Sequence, residues 1–364
     1  MKFVHIADIH LDKPFTSLER IDGLSNKRRL EQRQAIKKVI EYIKLNDIPY
    51  LFISGDLYEH EYIRQSTIEY INELFKTIPE TKIYIAPGNH DPYLKNSYYN
   101  KFDWSKNVHI FTDKIEKISS ENIDIYGCGF TDFYMKDNKI KNIKIEDKSK
   151  INILVIHGSL DGGWDDYREY NPMSRKELEL LDFNYIALGH IHKPMYNEKG
   201  CKNIVYPGST ISLGFDELGD HGMIVGDITK DEIETNFIKI DEREFVEKEI
   251  DISEIISEEE LIETLNCLDS ENSIDNKLYK IILVGKRKIE INIYNIYKIL
   301  NNDKIMKIKD LTKLDYDLSK IESEESLKGL FVKELLEKLE NEENEKNIEI
   351  INRAIQMGLD VLEG

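Results

Sequence analysis

The sequence predicts an α/β chain, a layered two-sheet sandwich flanked by helices, followed by a small α/β module and terminal helices. Three observations carry this reading. Over the first 240 residues, short apolar, β-branched runs each end abruptly in a polar cluster: FVHIAD (3–8), YLFISGD (50–56), KIYIAPGNHD (82–91), INILVIHGS (151–159) and YIALGHIHKP (185–194). Runs of this length bounded by Gly or Pro read as buried strands. Helical patterns lie between them; in 25–47, Leu30, Ala35, Ile36, Val39, Ile40 and Ile43 recur on one side. Strands alternating with helices give a layered α/β architecture. Ligands in such sheets collect beyond the carboxyl ends of the strands, where every one of these polar clusters falls.

From about residue 241 the character changes. Residues 241–314 read as a compact β-α-β-α-β cap. Residues 315–364 read as a polar linker (315–326) and two helices, 326–340 and 347–364. Those helices place Leu327, Leu330, Phe331, Leu335 and Leu339, then Ile348, Ile351, Ile355, Leu359 and Leu362, at helical spacing, which predicts a hairpin with one apolar face.

The 364 residues, 40% hydrophobic and 10% aromatic, can bury an ordinary core, so wholesale disorder is excluded. No stretch approaches the roughly 20 apolar residues of a membrane span. His5 and Asp8 interrupt what would be a signal peptide's apolar core. The expectation is a cytoplasmic protein without a membrane partner. Cys128, Cys201 and Cys267 form no CxxC pair and receive no role. The net charge of −19 is uneven: residues 1–150 hold 24 Lys+Arg against 23 Asp+Glu, so the acid lies in the second part of the chain. The neutral first lobe neither forbids nor demands an anionic substrate.

The strand-end clusters carry the chemistry. Asp8 and His10 form D-x-H after the first strand. Asp56 ends the second in S-G-D, Asn89 and His90 sit in P-G-N-H-D after the third, His157 ends the fourth, and His190 and His192 form G-H-x-H after the fifth. Each alone has an ordinary explanation as a cap, turn residue or buried histidine. Together they give two carboxylates, one amide oxygen and four imidazoles, with His90 left over. Mixed N/O donors without thiolates suit Mn, Fe, Zn or Co better than Mg or Ca. Seven ligands with Asp56 shared match a pair of ions, the arrangement that hydrolyses phosphate esters.

In this order, D-x-H, G-D, G-N-H-D, H-G and G-H-x-H resemble the calcineurin-like metallophosphoesterase superfamily. HIADIHLDKPF (5–15), GDLYEH (55–60), LGHIHKP (188–194) and YPGSTISLGFDELGDHGMIVGDI (206–228) resemble more narrowly its DNA-repair exonuclease branch of the SbcD/YhaO type. The resemblance spans about residues 1–240. It implies one ion on Asp8, His10, Asp56 and His192 and another on Asp56, Asn89, His157 and His190, with Mn2+ the first choice. It also implies that His90, oriented by Asp91, stabilises developing charge or protonates the leaving oxygen. One departure is Glu59, at a position where the branch often has a histidine implicated in exonuclease activity; here His60 follows it.

The implied function is a two-metal DNA exonuclease or endonuclease in DNA repair. The C-terminal helices would grip an SMC-like ATPase by a helix-in-groove contact, and a homodimer stays open. One alternative is a phosphodiesterase or phosphatase for nucleotides or small phosphoesters. Another is a largely non-catalytic DNA-docking subunit of an ATPase complex. Two features are candidate DNA contacts. The basic helix segment Lys27, Arg28, Arg29, Arg33, Lys37 and Lys38 could follow a phosphate backbone. The aromatics Tyr93, Tyr98, Tyr99, Phe102 and Trp104, interleaved with lysines, could stack on bases.

Overall fold

The computed structural model describes residues 1–19, 21–161, 170–197, 202–268, 276–342 and 344–363. The chain divides into two compact units, Met1–Phe245 and Val246–Gly364. The first unit opens with β1 (Lys2–Ile6), α1 (Leu24–Leu45), β2 (Tyr50–Ile53), α2 (Gln65–Lys76), β3 (Lys82–Ile85), α3 (Tyr98–Lys101) and β4 (Val108–Ile110). It continues with β5 (Glu116–Ser119), β6 (Ile123–Cys128), β7 (Ile151–His157), α4 (Arg175–Leu180), β8 (Tyr185–Gly189), β9 (Ile204–Val205), β10 (Gly222–Ile228) and β11 (Ile233–Lys239).

Two sheets form the sandwich. One is ordered β11-β10-β1-β2-β3-β4 and the other β5-β6-β7-β8-β9. β1 to β4 run parallel, as do β6 to β9, so their carboxyl ends open on one edge of each sheet. Between the sheets lie Phe3, Phe52, Tyr84 and Phe111 from one layer and Ile153, Val155, Tyr185 and Val205 from the other. The alternate residues Val4, Ile6, Leu51 and Ile53 are buried too, as expected of strands covered on both faces. The buried stripe of α1 differs from the sequence expectation in one place: Leu30 is 56% exposed, and Arg28 and Gln32 lie inside instead.

A histidine ties the two layers together. The Ser54 hydroxyl donates to the Ala187 carbonyl (2.9 Å), so it can only accept from His5 Nε2 (3.0 Å). That fixes the tautomer, and His5 Nδ1 accepts from the Tyr185 hydroxyl (2.9 Å). Burial pushes His5 from 6.5 down to about 3. The unfolded chain therefore takes up this proton at a higher pH than the folded one. Stability from the neutral ring is complete above the unfolded value. It is lost as pH falls toward about 3, by up to ~1.4 kcal/mol per pH unit. Chemical denaturation of the wild type and His5→Gln between about pH 6 and pH 4 should show that extra slope in the wild type alone. Parallel slopes would contradict the neutral, fully bonded ring.

The second unit is described by itself. β12 (Glu244–Asp251), β13 (Lys277–Val284) and β15 (Ile305–Asp310) form one sheet with α5 (Glu258–Asn266) and α6 (Ile293–Ile299); β14 (Lys286–Arg287) pairs with β16 (Lys313–Leu314). Leu261, Leu265, Ile281, Leu283 and Ile296 fill its core. Helices α7 (Leu318–Glu322), α8 (Leu327–Glu340) and α9 (Glu345–Glu363) follow. The stretch expected as a bare polar linker thus contains a helix, because Ile321 has an apolar partner set to join: Val332, Ile355 and Leu359. Much of the predicted apolar face is spent where α8 packs on α9, while Leu327 and Leu330 remain exposed. Cys128 is buried and Cys267 exposed; Cys201 lies outside the described residues. Among the described residues no helix is long and apolar enough to cross a membrane.

Candidate metal centre

Every predicted donor follows or ends a parallel strand: Asp8 and His10 after β1, Asp56 after β2, Asn89 and His90 after β3, His157 at the end of β7, His190 and His192 after β8. Strand ends alone do not aim side chains at one point. The backbone does this by turning sharply, with φ of +51° at Asp8, +50° at His10, +52° at Asp56 and +109° at His190. Such left-handed conformations cost of order 1–3 kcal/mol each in non-glycine residues and concentrate at functional sites. Two glycines make the close approaches fit. A Cβ on Gly55, at φ +89°, would sit 2.3 Å from His157 Nδ1, and one on Gly88 would sit 2.2 Å from Asp56 Oδ1.

The side chains converge in three overlapping groups: Asp8, His10 and His192; His10, Asp56 and His90; Asp8, Asp56 and His157. Within each, the donor atoms lie within 4.8 Å of one another. Asp56 Oδ2 stands between His10 Nε2 (3.7 Å) and His157 Nε2 (3.5 Å). His192 Nε2 lies 3.8 Å from Asp8 Oδ1. Asn89 Oδ1 joins His157 Nε2 (3.0 Å) to His190 Nδ1 (3.2 Å).

Behind the donors, acceptors set the tautomers. His10 Nδ1 donates to Glu59 (2.9 Å), His192 Nδ1 to Glu217 (2.6 Å) and His157 Nδ1 to the Ser54 carbonyl (2.8 Å). Each leaves its Nε2 lone pair facing inward, the arrangement by which outer partners orient metal-binding imidazoles. As a result, lone pairs face lone pairs: His10 Nε2 lies 3.2 Å from His192 Nε2, and His157 Nε2 meets the Asn89 carbonyl oxygen. Such pairs need a positive charge between them. Without a metal, a proton on His192 serves: burial opposes it, but Glu217 and Asp8 hold the pKa at about 9. A divalent cation meets the same need at both places, so the donor set fits one.

The other groups are tuned to match. Burial pushes His10 down, and His190 to about 3, keeping both neutral. Burial alone would raise Asp56, but the imidazoles of His157, His90 and His10 hold it well below the usual carboxylate range. Glu217 is likewise drawn down against its burial, to about 2, by His192. It also accepts from the Ser209 hydroxyl and the Leu213 amide. Glu217→Gln should weaken metal affinity by about 10–100-fold, the usual cost of losing such a partner. Metal titration of the purified variant checks this, and unchanged affinity would remove Glu217 from the site.

Several expectations are corrected. Asp91 does not orient His90. Buried completely, it accepts from the amides of Gly88 (2.6 Å), Asp56 (3.0 Å) and Leu57 (2.6 Å) and from the Tyr99 hydroxyl (2.6 Å), and so clamps the two loops together. His90 Nδ1 instead donates to Glu59 Oε2 (2.9 Å). One carboxylate therefore holds both His10 and His90.

Arg28 is no DNA contact. It is fully buried, bonded to Asp241, Glu31 and the Ser212 carbonyl. Arg33 pairs with Asp12, Lys38 with Glu242, and Arg29 bonds Asn26, so the basic segment is largely spent internally. Tyr99 is buried against Tyr58 and Trp104, and the half-buried Tyr98 supplies its carbonyl to Trp104 Nε1; Tyr93 is half-buried, its amide donating to the Phe130 carbonyl. Sequence reasoning missed Glu217 and the Ser54 carbonyl altogether. Glu59 stood out only as a departure from a pattern.

A two-sheet α/β sandwich whose strand ends bring carboxylates, imidazoles and an amide oxygen together at one place defines a metal-binding phosphoesterase. Residues 1–194 match the model of the calcineurin-like phosphoesterase family, and the chain belongs to that family, whose members bind divalent metals. It is 24% identical over 263 residues to an uncharacterised metallophosphoesterase, YhaO, of Bacillus subtilis, covering 70% of this chain and 64% of that protein. It is 26% identical over 313 residues to the SbcD component of the SbcCD nuclease of Staphylococcus saprophyticus, covering 76% of this chain and 78% of that protein. With the DNA double-strand break repair protein Mre11 of Methanocaldococcus jannaschii the identity is 29% over 271 residues, covering 69% of each chain.

Proposed function

We propose that this protein is a divalent-metal-dependent nuclease that hydrolyses phosphodiester bonds of DNA with two ions. The observation carrying this reading is Asp56 Oδ2, placed between His10 and His157 with acceptors facing acceptors on either side. Asp8, His10, Asp56 and His192 would hold one ion, and Asp56, Asn89, His157 and His190 the other, with Mn first and Fe, Zn, Co or Mg as alternatives. Bound there, the ions supply charge neutralisation at the phosphate and acidify water.

The chain's own residues do the rest. His90 keeps 42% of its side chain exposed, so it can reach a substrate. Burial would lower its pKa, but Asp56 and Glu59 raise it; with Asp56 committed to metal, Glu59 is the carboxylate left to favour the proton that His90 would give to the leaving oxygen. Glu59 fixes its direction by accepting from Nδ1, leaving Nε2 to donate. The relatives named as a nuclease and as a break-repair protein support DNA as the substrate over small phosphoesters. The same relatives favour action beside an SMC-like ATPase in DNA repair, with Leu327 and Leu330, exposed on α8, as the docking residues. Labelled single- and double-stranded DNA and a small chromogenic phosphodiester should be assayed with and without Mn. Mn-dependent cleavage of DNA is expected. Hydrolysis confined to the small diester would favour a phosphodiesterase of another substrate class, and inertness with retained DNA binding a docking subunit.

A further inference from the structure

The aromatics after the third strand are largely committed to packing, but a different set borders the metal centre. Phe133 and Tyr134 are 36% and 56% exposed. The Phe133 ring lies 5.8 Å from His60, the neighbour of Glu59. Tyr134 lies 5.9 Å from Tyr170, whose ring lies 5.0 Å from His190. Aromatic surface thus runs outward from His190, and Phe133 packs on His60, whose amide donates to the His90 carbonyl.

Beyond it the same segment lines a groove of about 820 Å³ with Lys136, Lys139 and Lys141. Three acids share the groove with them: Glu177 accepts from Ser174 and Asn138, Asp161 accepts from the Arg175 amide, and Asp137 lies on the segment between the lysines. The segment is also anchored to the metal centre. Asn171, fully buried at φ +47°, donates to the His157 carbonyl (2.9 Å) and accepts from the Lys139 amide (3.1 Å), while its own amide donates to the Met135 carbonyl.

We propose that residues 133–141 form a track for an unpaired DNA strand leading away from the scissile phosphate. This rests on the nuclease reading above. Bases stack on the exposed faces of Phe133 and Tyr134, and the lysines meet successive phosphates in the groove. Exposed rings followed by lysines are the chemistry of single-strand recognition, in which every base offers a π face and the backbone supplies the charge. In a duplex the faces of the bases are already stacked on one another, so the track selects unpaired DNA.

The test uses the full-length protein, Mn-loaded for cleavage assays and with Ca2+ in place of Mn when binding of a fluorescent single-stranded oligonucleotide is read. Tyr134→Ala should weaken binding by about tenfold, within the range of one lost stacking contact. Lys139→Ala with Lys141→Ala should weaken binding and flatten the slope of log Kd against log salt by about 1.4, for two single-strand phosphate contacts. All variants should retain the wild-type melting temperature and wild-type hydrolysis of a small chromogenic diester, which does not reach the track. If the wild type cleaves DNA while affinity and salt slope are unmoved by either set, the track is refuted and the nuclease reading stands. Equal losses with a blunt duplex would refute stacking of unpaired bases. If the wild type hydrolyses the small diester but neither binds nor cleaves DNA, both readings fall.

Discussion

Asp56→Ala should lose both metal ions, and with them at least about 10³-fold of the cleavage rate, the scale on which removal of an electrostatic element of the transition state is felt. The geometry sets this expectation. Its Oδ2 is the oxygen shared between the imidazoles of His10 and His157, and its Oδ1 accepts from the His90 amide (2.8 Å). Alanine removes the proposed common ligand and the negative charge that offsets three neighbouring imidazoles. The backbone at φ +52° suffers as well, since alanine tolerates that conformation poorly. Asp56→Asn keeps the shape without the charge, so it separates local misfolding from lost metal affinity. Metal analysis after Mn loading and dialysis should approach two ions per chain in the wild type and fall toward none in both variants. One ion retained at full occupancy would refute sharing by Asp56.

His90→Ala should behave oppositely, keeping its metals and its DNA affinity while kcat falls by about 10²–10⁴-fold, the range for a lost general acid or base. His90 is assigned to neither proposed ligand set, although it offers a ring nitrogen within 4.8 Å of donor atoms of His10 and Asp56, because its Nδ1 is committed to Glu59 and its exposed edge faces outward. Glu59→Gln provides the companion measurement. An amide oxygen can still accept from one imidazole, but it no longer supplies the charge that holds His90 protonated. Its kcat should therefore fall part of the way, with metal binding weakened through His10. If His90→Ala loses metal instead, His90 is a ligand and the two sets are drawn wrongly.

Much of this site was legible because its residues sit where chain direction can be read. A parallel strand ends in one direction, and an apolar run followed by D-x-H or G-N-H-D says which end is polar. The chain could not reveal contacts made across large separations. Glu217 meets His192 from 25 residues away, and no local spacing links them. Asp91 lies next to His90 in sequence yet points to Tyr99 and three amides, because neighbouring residues on a turn diverge. The burial of Arg28 is legible in its spacing: Arg28, Gln32, Ile36 and Ile40 share one helical face at four-residue spacing, and that face is buried. Its charge suggested solvent, but Asp241, more than two hundred residues away, supplies the partner. The terminal hairpin shows a different limit. Periodicity shows that α8 and α9 are amphipathic, but not that much of each apolar face is spent on the other.

The two-pronged carboxylate of Glu59 also constrains how this site can change over generations. With Oε1 committed to His10 and Oε2 to His90, a single codon governs both a proposed metal ligand and the proposed proton donor. A histidine at position 59 could not accept from both rings at once, so such an exchange would require compensating changes around positions 10 and 90. Positions 10, 59 and 90 are therefore epistatic: the effect of replacing any one depends on the identity of the other two. Glu59→His alone should therefore cost activity that accompanying changes at positions 10 and 90 restore, as measured by cleavage rates of the single and combined variants.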